Sequence, residues 1–238
     1  MRRWPGIALN KDNLDRTDIT TERSRTLSNE KLNKASKGAP PLTELILQLY
    51  EVGCIQFGQF SLVSGQQSPI YIDLRRLMAR PALLKAAGEV YAGLLAPLSF
   101  DHIAAVPYAA LTIGTAVALV ANKPLIYPRK EVKSHGTGRA VEGVFAAGER
   151  AVIIEDLVTK GGSALKAIKA LEAVDLTVSD VVVLIDRQEG GREALAEAGY
   201  RLHAVFRLSE ILEILRQEDQ ISAEQLTVVK NYLKSTGA

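Results

Sequence analysis

The sequence predicts an α/β fold, a parallel-rich central sheet with helices on both faces. Three observations predict it. From residue 102 onward, short apolar runs of strand length alternate with stretches of helical period. Glycine and proline fall at the boundaries, as at Gly53, Pro97 and Gly148. With 238 residues, 47% of them hydrophobic, the chain can bury one sizeable core, so a single domain is the default. In such a sheet, ligands gather outside the carboxyl ends of the strands.

Residues 1–39 are rich in Asn, Thr, Ser, Arg, Lys and Asp without any period, which predicts a disordered or linker tail before a domain over 40–238. Asp12, Asp15, Asp18, Glu22 and Glu30 argue against an organelle transit peptide, and no apolar segment of a secretory signal follows Arg2 and Arg3. Leu42, Leu45, Ile46 and Leu49 recur at helical spacing, so a helix begins the domain and Gly53 closes it. The segment 54–75 alternates in pieces broken by Gly58, Gly65 and Pro69 and reads as strand, turn, strand. A helix over 81–95 follows, then strand 102–106, helix 111–121 and strand 124–128. Strand 141–145 leads to strand 151–154, and Ser163 opens a helix. Strand 180–185, helix 192–198, strand 201–206 and helix 209–217 continue the alternation. Ser222 with Gln225 three residues on is the capping box of a last helix.

The formal charge of +2, with basic residues interleaved among acids, gives no reason to invoke nucleic acid. No apolar run approaches the roughly 20 residues that span a bilayer. Cys54 is the single cysteine, so neither a disulfide framework nor a CxxC metal site is available, which suits a reducing, cytoplasmic setting. Its apolar neighbours make it a structural thiol. His102 and His203 border predicted strands without a second ligand at metal spacing, so both are read as structural.

The chemistry concentrates in AVIIEDLVTKGGSAL, residues 151–165. An apolar strand reaches Glu155 and Asp156, then a short loop with Gly161 and Gly162, then the helix at Ser163. Glycines let backbone N–H groups turn inward, and the helix start adds partial positive charge, so the loop suits a phosphate. Thr159 and Ser163 add hydroxyl donors. Carboxylates beside a phosphate repel it unless they hold sugar hydroxyls or a metal-bound ligand, so phosphate plus polyol is the implied ligand. On residues alone a plain capped turn is equally open, since acids cap helices and Gly-Gly turns are common. Three further stretches stand beside it. RKEVKSHGTGRA carries Arg129, Lys130, Lys133, His135 and Arg139 and is either a cationic loop over a pyrophosphate or a solvated hairpin. VPYAAL, with Tyr108, is a turn whose small residues let backbone amides approach a ligand, or an ordinary βα turn. LIDRQEGG sets Arg187 beyond a strand end, able to grip a carboxylate or to pair with Glu189 or Glu193 at the surface.

These segments, with FGQF and SGQQSPIYIDLR, resemble the type I phosphoribosyltransferases, and most of all the orotate phosphoribosyltransferases and the transferase half of uridine monophosphate synthases. The resemblance runs over about 43–233. It implies the family fold with a small N-terminal hood and a mobile cationic loop. It also implies transfer of ribose 5-phosphate from phosphoribosyl pyrophosphate (PRPP) to orotate, with Mg²⁺ carried by PRPP rather than by direct protein ligands.

By that match Lys133, His135 and Asp156 are catalytic. PRPP is held by Arg129, Lys130, Lys133, His135, Tyr108, Glu155, Asp156, Thr159, Lys160, Gly161, Gly162 and Ser163, and orotate by Tyr71, Thr159 and Arg187. A homodimer with shared active sites follows from the resemblance alone. No second barrel-sized segment is present, so a decarboxylase for the product is expected on a separate partner. Three positions depart from the family: Val63 and Gln56 stand where a Lys is frequent, and Lys160 sits in the phosphate loop where a small or hydroxylated residue is usual. A PRPP-sensing regulator and a purine phosphoribosyltransferase are the alternative readings.

Overall fold

The computed structural model describes residues 42–61, 65–130 and 140–236. The expected tail over 1–39, Val63, Lys133, His135 and Arg139 lie outside them. The chain begins with α1 (Leu42–Glu51), β1 (Ile55–Ser61), β2 (Gln67–Ile72), a 3-10 helix (Leu74–Ala79) and α2 (Pro81–Leu95). It continues as β3 (His102–Ala105), α3 (Ala109–Ala121), β4 (Leu125–Pro128), β5 (Val141–Glu142), β6 (Arg150–Val158) and α4 (Gly162–Glu172). It closes with β7 (Thr177–Asp186), α5 (Gly191–Glu197), β8 (Arg201–Arg207), α6 (Leu208–Gln217) and α7 (Ala223–Thr236).

The central sheet has six strands in the order β5-β4-β3-β6-β7-β8, parallel except for β5, while β1 and β2 form a separate antiparallel pair. Strand alternation divides the apolar side chains between two cores. Val152, Ile154, Val182 and Leu184 pack with α1, α2, α3, α6 and α7, whereas Ile153, Val181 and Val183 pack with α4 and α5. Both faces are therefore covered. No helix among the described residues is long and apolar enough to cross a membrane.

Several element boundaries differ from expectation. The 141–145 strand shrinks to Val141–Glu142, because Gly143 turns the chain at φ +112 against Ile126, where a Cβ would lie 2.7 Å from Cγ2. Strand β7 starts at Thr177 rather than 180, and α3 starts at Ala109 rather than 111. Strand β6 runs on through both acids to Val158, since Leu157 and Val158 pair with Ile185 and Asp186 of β7. Ladder pairing there outweighs local polarity.

The connections place the site. From β3 the chain crosses through α3 toward β4, but from β6 it crosses through α4 toward β7 on the opposite face. The strand order reverses between β3 and β6, which opens a crevice at their carboxyl ends. Ala105 and Ile154 are the last β3–β6 pair, so the edge of β6 that faces β3 is free from Glu155 onward.

Candidate active site

Glu155 and Asp156 sit at that free edge. Glu155 is 5% exposed, its Oε2 has no hydrogen-bond partner among the described residues, and its Oε1 accepts only a long 3.4 Å bond from the Asp156 N–H. Its backbone carbonyl is fixed from behind, accepting a 2.7 Å hydrogen bond from the hydroxyl of fully buried Tyr91 on α2. Burial, and then the neighbouring Asp156 charge, push the Glu155 carboxyl well above the usual carboxylate range. Burial also raises Asp156, opposed by hydrogen bonding and by the charge of Arg75. An acid this deep and this poorly partnered is a candidate for ligand contact.

The loop beyond the strand ends on an uncapped helix. Gly161 occupies the α4 N-cap at φ +76, where a Cβ would be strained, and supplies no side-chain cap. The first N–H groups of this 11-residue helix are thus free for an anion. Gly162 and Ser163 are exposed, and a Cβ on Gly162 would meet nothing within 4 Å, so the mouth is open. Thr159 is half-buried and Lys160 exposed, so Lys160 does not plug the loop.

The turn after β7 is clamped onto this loop. The Arg187 N–H donates to the Val158 carbonyl at 3.0 Å, and Gly191 lies so close that a Cβ would fall 2.5 Å from the Thr159 carbonyl oxygen. Asp186 ties the turn together by accepting from the Gln188 N–H at 2.9 Å and pairing with Arg192 at 3.0 Å. Arg187 contacts Glu189 at 2.7 Å, but the pair is buried, with both side chains under 8% exposed, rather than a surface bridge. The contact is off-axis for a hydrogen bond, leaving Arg187 Nε and Nη2 and Glu189 Oε1 without hydrogen-bond partners among the described residues.

Cations line the opposite wall. Tyr108, 65% exposed, follows β3 in a turn whose Pro107–Tyr108 peptide is cis, and Lys130 Nζ lies 4.5 Å above its ring. Arg129 pairs with Glu142 at 2.8 Å, and its N–H donates to the Ala140 carbonyl, which joins the end of β4 to the start of β5. Above the crevice Tyr71 stacks on Phe60 at 5.4 Å and its hydroxyl accepts from Arg75 at 3.3 Å. Gln56 turns away, donating to the Gly53 carbonyl at 2.9 Å.

The family model of the phosphoribosyl transferase domain matches residues 75–198, from the 3-10 helix through α5. The chain belongs to the phosphoribosyltransferase family. This phosphoribosyltransferase is 43% identical over 185 residues to a bifunctional enzyme PyrF/PyrE of a Nostoc species, covering 78% of this chain and 39% of that one. It is 38% identical to an orotate phosphoribosyltransferase of Pyrobaculum aerophilum, covering 79% of this chain and 97% of that one. Among solved structures it is similar to the UMP synthase of Leishmania donovani, with TM-score 0.77 and 39% identity over 87% of this chain and 45% of that one. The chain thus spans about two fifths of the bifunctional relatives' length.

Several features of the site were not anticipated from sequence. Tyr91 reads as one more apolar helix residue, and only burial reveals its hydroxyl on the acid strand. Phe60 sits in FGQF without a sign that it stacks on Tyr71. Elsewhere, Cys54 is fully buried and burial raises its thiol to about 11, as suits an inert structural group. His102 contacts Glu149 at 2.6 Å and His203 contacts Asp180 at 2.7 Å, both toward the amino ends of their strands and away from the crevice.

Proposed function

We propose that this protein transfers ribose 5-phosphate from PRPP to orotate, forming orotidine 5′-monophosphate and pyrophosphate in pyrimidine synthesis. The observation that carries the reading is the clamp between the Arg187–Gly191 turn and the phosphate loop. It holds the turn that carries Arg187 against the loop that carries the α4 amides, so a guanidinium for a carboxylate and donors for a phosphate come from adjoining segments. Names of relatives such as the Pyrobaculum protein support the same substrates.

In this reading the amides and hydroxyls of Thr159, Gly161, Gly162 and Ser163 hold the 5′-phosphate, with Lys160 at the rim. Glu155 and Asp156 hold the ribose hydroxyls. Breaking the C1–O bond builds positive charge on the sugar, and a carboxylate at Asp156 stabilises that charge. Tyr108, Arg129 and Lys130 receive the pyrophosphate, and Lys133 and His135 close over it, excluding water and offsetting the departing charge. Arg187 takes the orotate carboxylate, while Tyr71 and Thr159 flank the ring. The base nitrogen attacks C1 directly, with no covalent enzyme intermediate.

Among the described residues no group of three or more His, Cys, Asp or Glu is arranged to hold a metal. The unpartnered Glu155 carboxyl nevertheless fits a ribose carrying a cation on its diphosphate. Mg²⁺ bound to PRPP would neutralise part of the leaving group's charge. We also propose a cytoplasmic homodimer with shared sites, for which exposed Leu119, Val120 and Val144 supply apolar surface, and a separate decarboxylase partner for the product.

The test is the fall in orotate absorbance with PRPP and Mg²⁺. Steady consumption is expected. No change, or turnover of adenine or hypoxanthine with orotate inert, contradicts the proposal.

A further inference from the structure

A cavity of about 420 Å³ lies between the carboxyl end of β4 and the first turns of α4. Val106 and Pro107 of the β3–α3 turn form one wall, Arg129 and Lys130 another, and Ser163 and Lys166 the third. Ala167 and Ala170 complete the α4 face; with Ser163 and Lys166 they recur at helical spacing, and their small side chains leave the space open. Three cations and no acid line this cavity among the described residues. Arg129 is already paired with Glu142, and Lys130 rests on the Tyr108 ring, whereas Lys166 has no ion-pair partner among the described residues. Side chains on a helix lean toward its N-terminus, so Lys166 leans toward the uncapped start of α4.

We propose that Lys166 is a PRPP-binding residue, a third cation that, with Arg129 and Lys130, grips the pyrophosphate end of the substrate from the α4 side. The assignment rests on the proposed phosphoribosyl transfer and extends it to a residue on a different element. The location favours the diphosphate over the 5′-phosphate. The cavity borders the β3–α3 turn and the cationic end of β4, and of the loop that receives the 5′-phosphate it touches only Ser163. A lysine here acts as a point charge on a flexible stem, suited to an anion whose charge changes as the bond breaks.

The experiment measures binding of pyrophosphate alone and of PRPP by calorimetry, and steady-state kinetics, for wild type, Lys166→Ala, Lys166→Arg and Lys85→Ala. Lys85 is an exposed lysine on α2 and serves as the charge-matched control. Lys166→Ala should weaken both ligands about tenfold and raise KM for PRPP by a similar factor, with kcat and the orotate KM within twofold. Lys166→Arg should recover most of the loss, and Lys85→Ala should match wild type. Wild-type turnover of orotate together with unchanged pyrophosphate and PRPP binding in Lys166→Ala would overturn the assignment and leave the proposed reaction intact. Pyrophosphate binding that depends on Lys166, in a protein that never consumes orotate, would support the anion site while removing the proposed reaction.

Discussion

The two ends of the central sheet treat their carboxylates differently. At the amino end Asp101 pairs with Arg150 at 3.2 Å, Glu149 with His102 at 2.6 Å and Asp180 with Arg201 at 2.8 Å. At the carboxyl end Glu155 and Asp156 make no ion pair among the described residues, and the Arg187–Glu189 pair is buried with its hydrogen-bonding capacity unmet. The titration shifts follow. A hydrogen bond from Arg150 lowers Asp101, and the Ala146 N–H with His102 lowers Glu149. Burial raises Asp180, but its bonds to Arg201 and His203 outweigh that and leave it low. Burial raises Glu155 and Asp156, and the hydrogen bonds that oppose it leave both above their ordinary values. Ion pairs tie down the acids of the amino end, whereas the two acids on β6 before the phosphate loop have none among the described residues.

Exchanging the ends is the sharpest way to break this contrast. Asp156→Asn should lower kcat by about a hundredfold or more with little change in melting temperature. Asp180→Asn should do the reverse, lowering the melting temperature by about 5 °C at nearly unchanged kcat. Activity loss from Asp180→Asn without destabilisation would dissolve the distinction. Gly191→Ala comes next. Its Cβ would collide with the Thr159 carbonyl oxygen at 2.5 Å and the Val158 Cγ2 at 2.6 Å, costing about 1–3 kcal/mol. By prying the turn from the phosphate loop it should raise KM for orotate and PRPP together, which initial-rate kinetics would show.

A smaller effect concerns pH. Because the folded Glu155 carboxyl is raised above its ordinary value near 4.5, the folded state binds a proton that the unfolded chain has released. Its contribution is whole below about pH 4.5 and is lost as pH rises through the folded value. Glu155→Gln should therefore melt higher than wild type in mildly alkaline buffer and converge with it near pH 4.5. A difference that grows toward acid would have the wrong sign. Smallest is Tyr91→Phe, which removes the 2.7 Å bond to the Glu155 carbonyl and should cost about 1 kcal/mol in denaturant unfolding.

The same contrast explains what the sequence reveals. The buried strands β3, β6 and β7 are legible because both of their faces are largely apolar, and the helices because one face is. The order of strands, and so the crevice between β3 and β6, is not written in any local pattern. Nor is the strand character of Glu155 and Asp156, which depends on pairing with β7 across a long sequence separation. Gly161 and Gly162 are readable as a loop, but that Gly161 is buried against Gly191 while Gly162 is open depends on tertiary packing. Arg187 is readable as a guanidinium past a strand end, yet its burial against Glu189 depends on Gly191 seating the turn on Thr159.

If the carboxyl ends of β3 and β6 bind a phosphorylated sugar, as we propose, backbone amide shifts in labelled protein titrated with PRPP and Mg²⁺ will show it. The largest changes should fall at Glu155, Gly161, Gly162, Ser163 and Arg187, with Asp101, Glu149 and Asp180 unmoved. Changes concentrated at the amino ends of the strands, or none at Gly161 to Ser163 under saturating ligand, would contradict it.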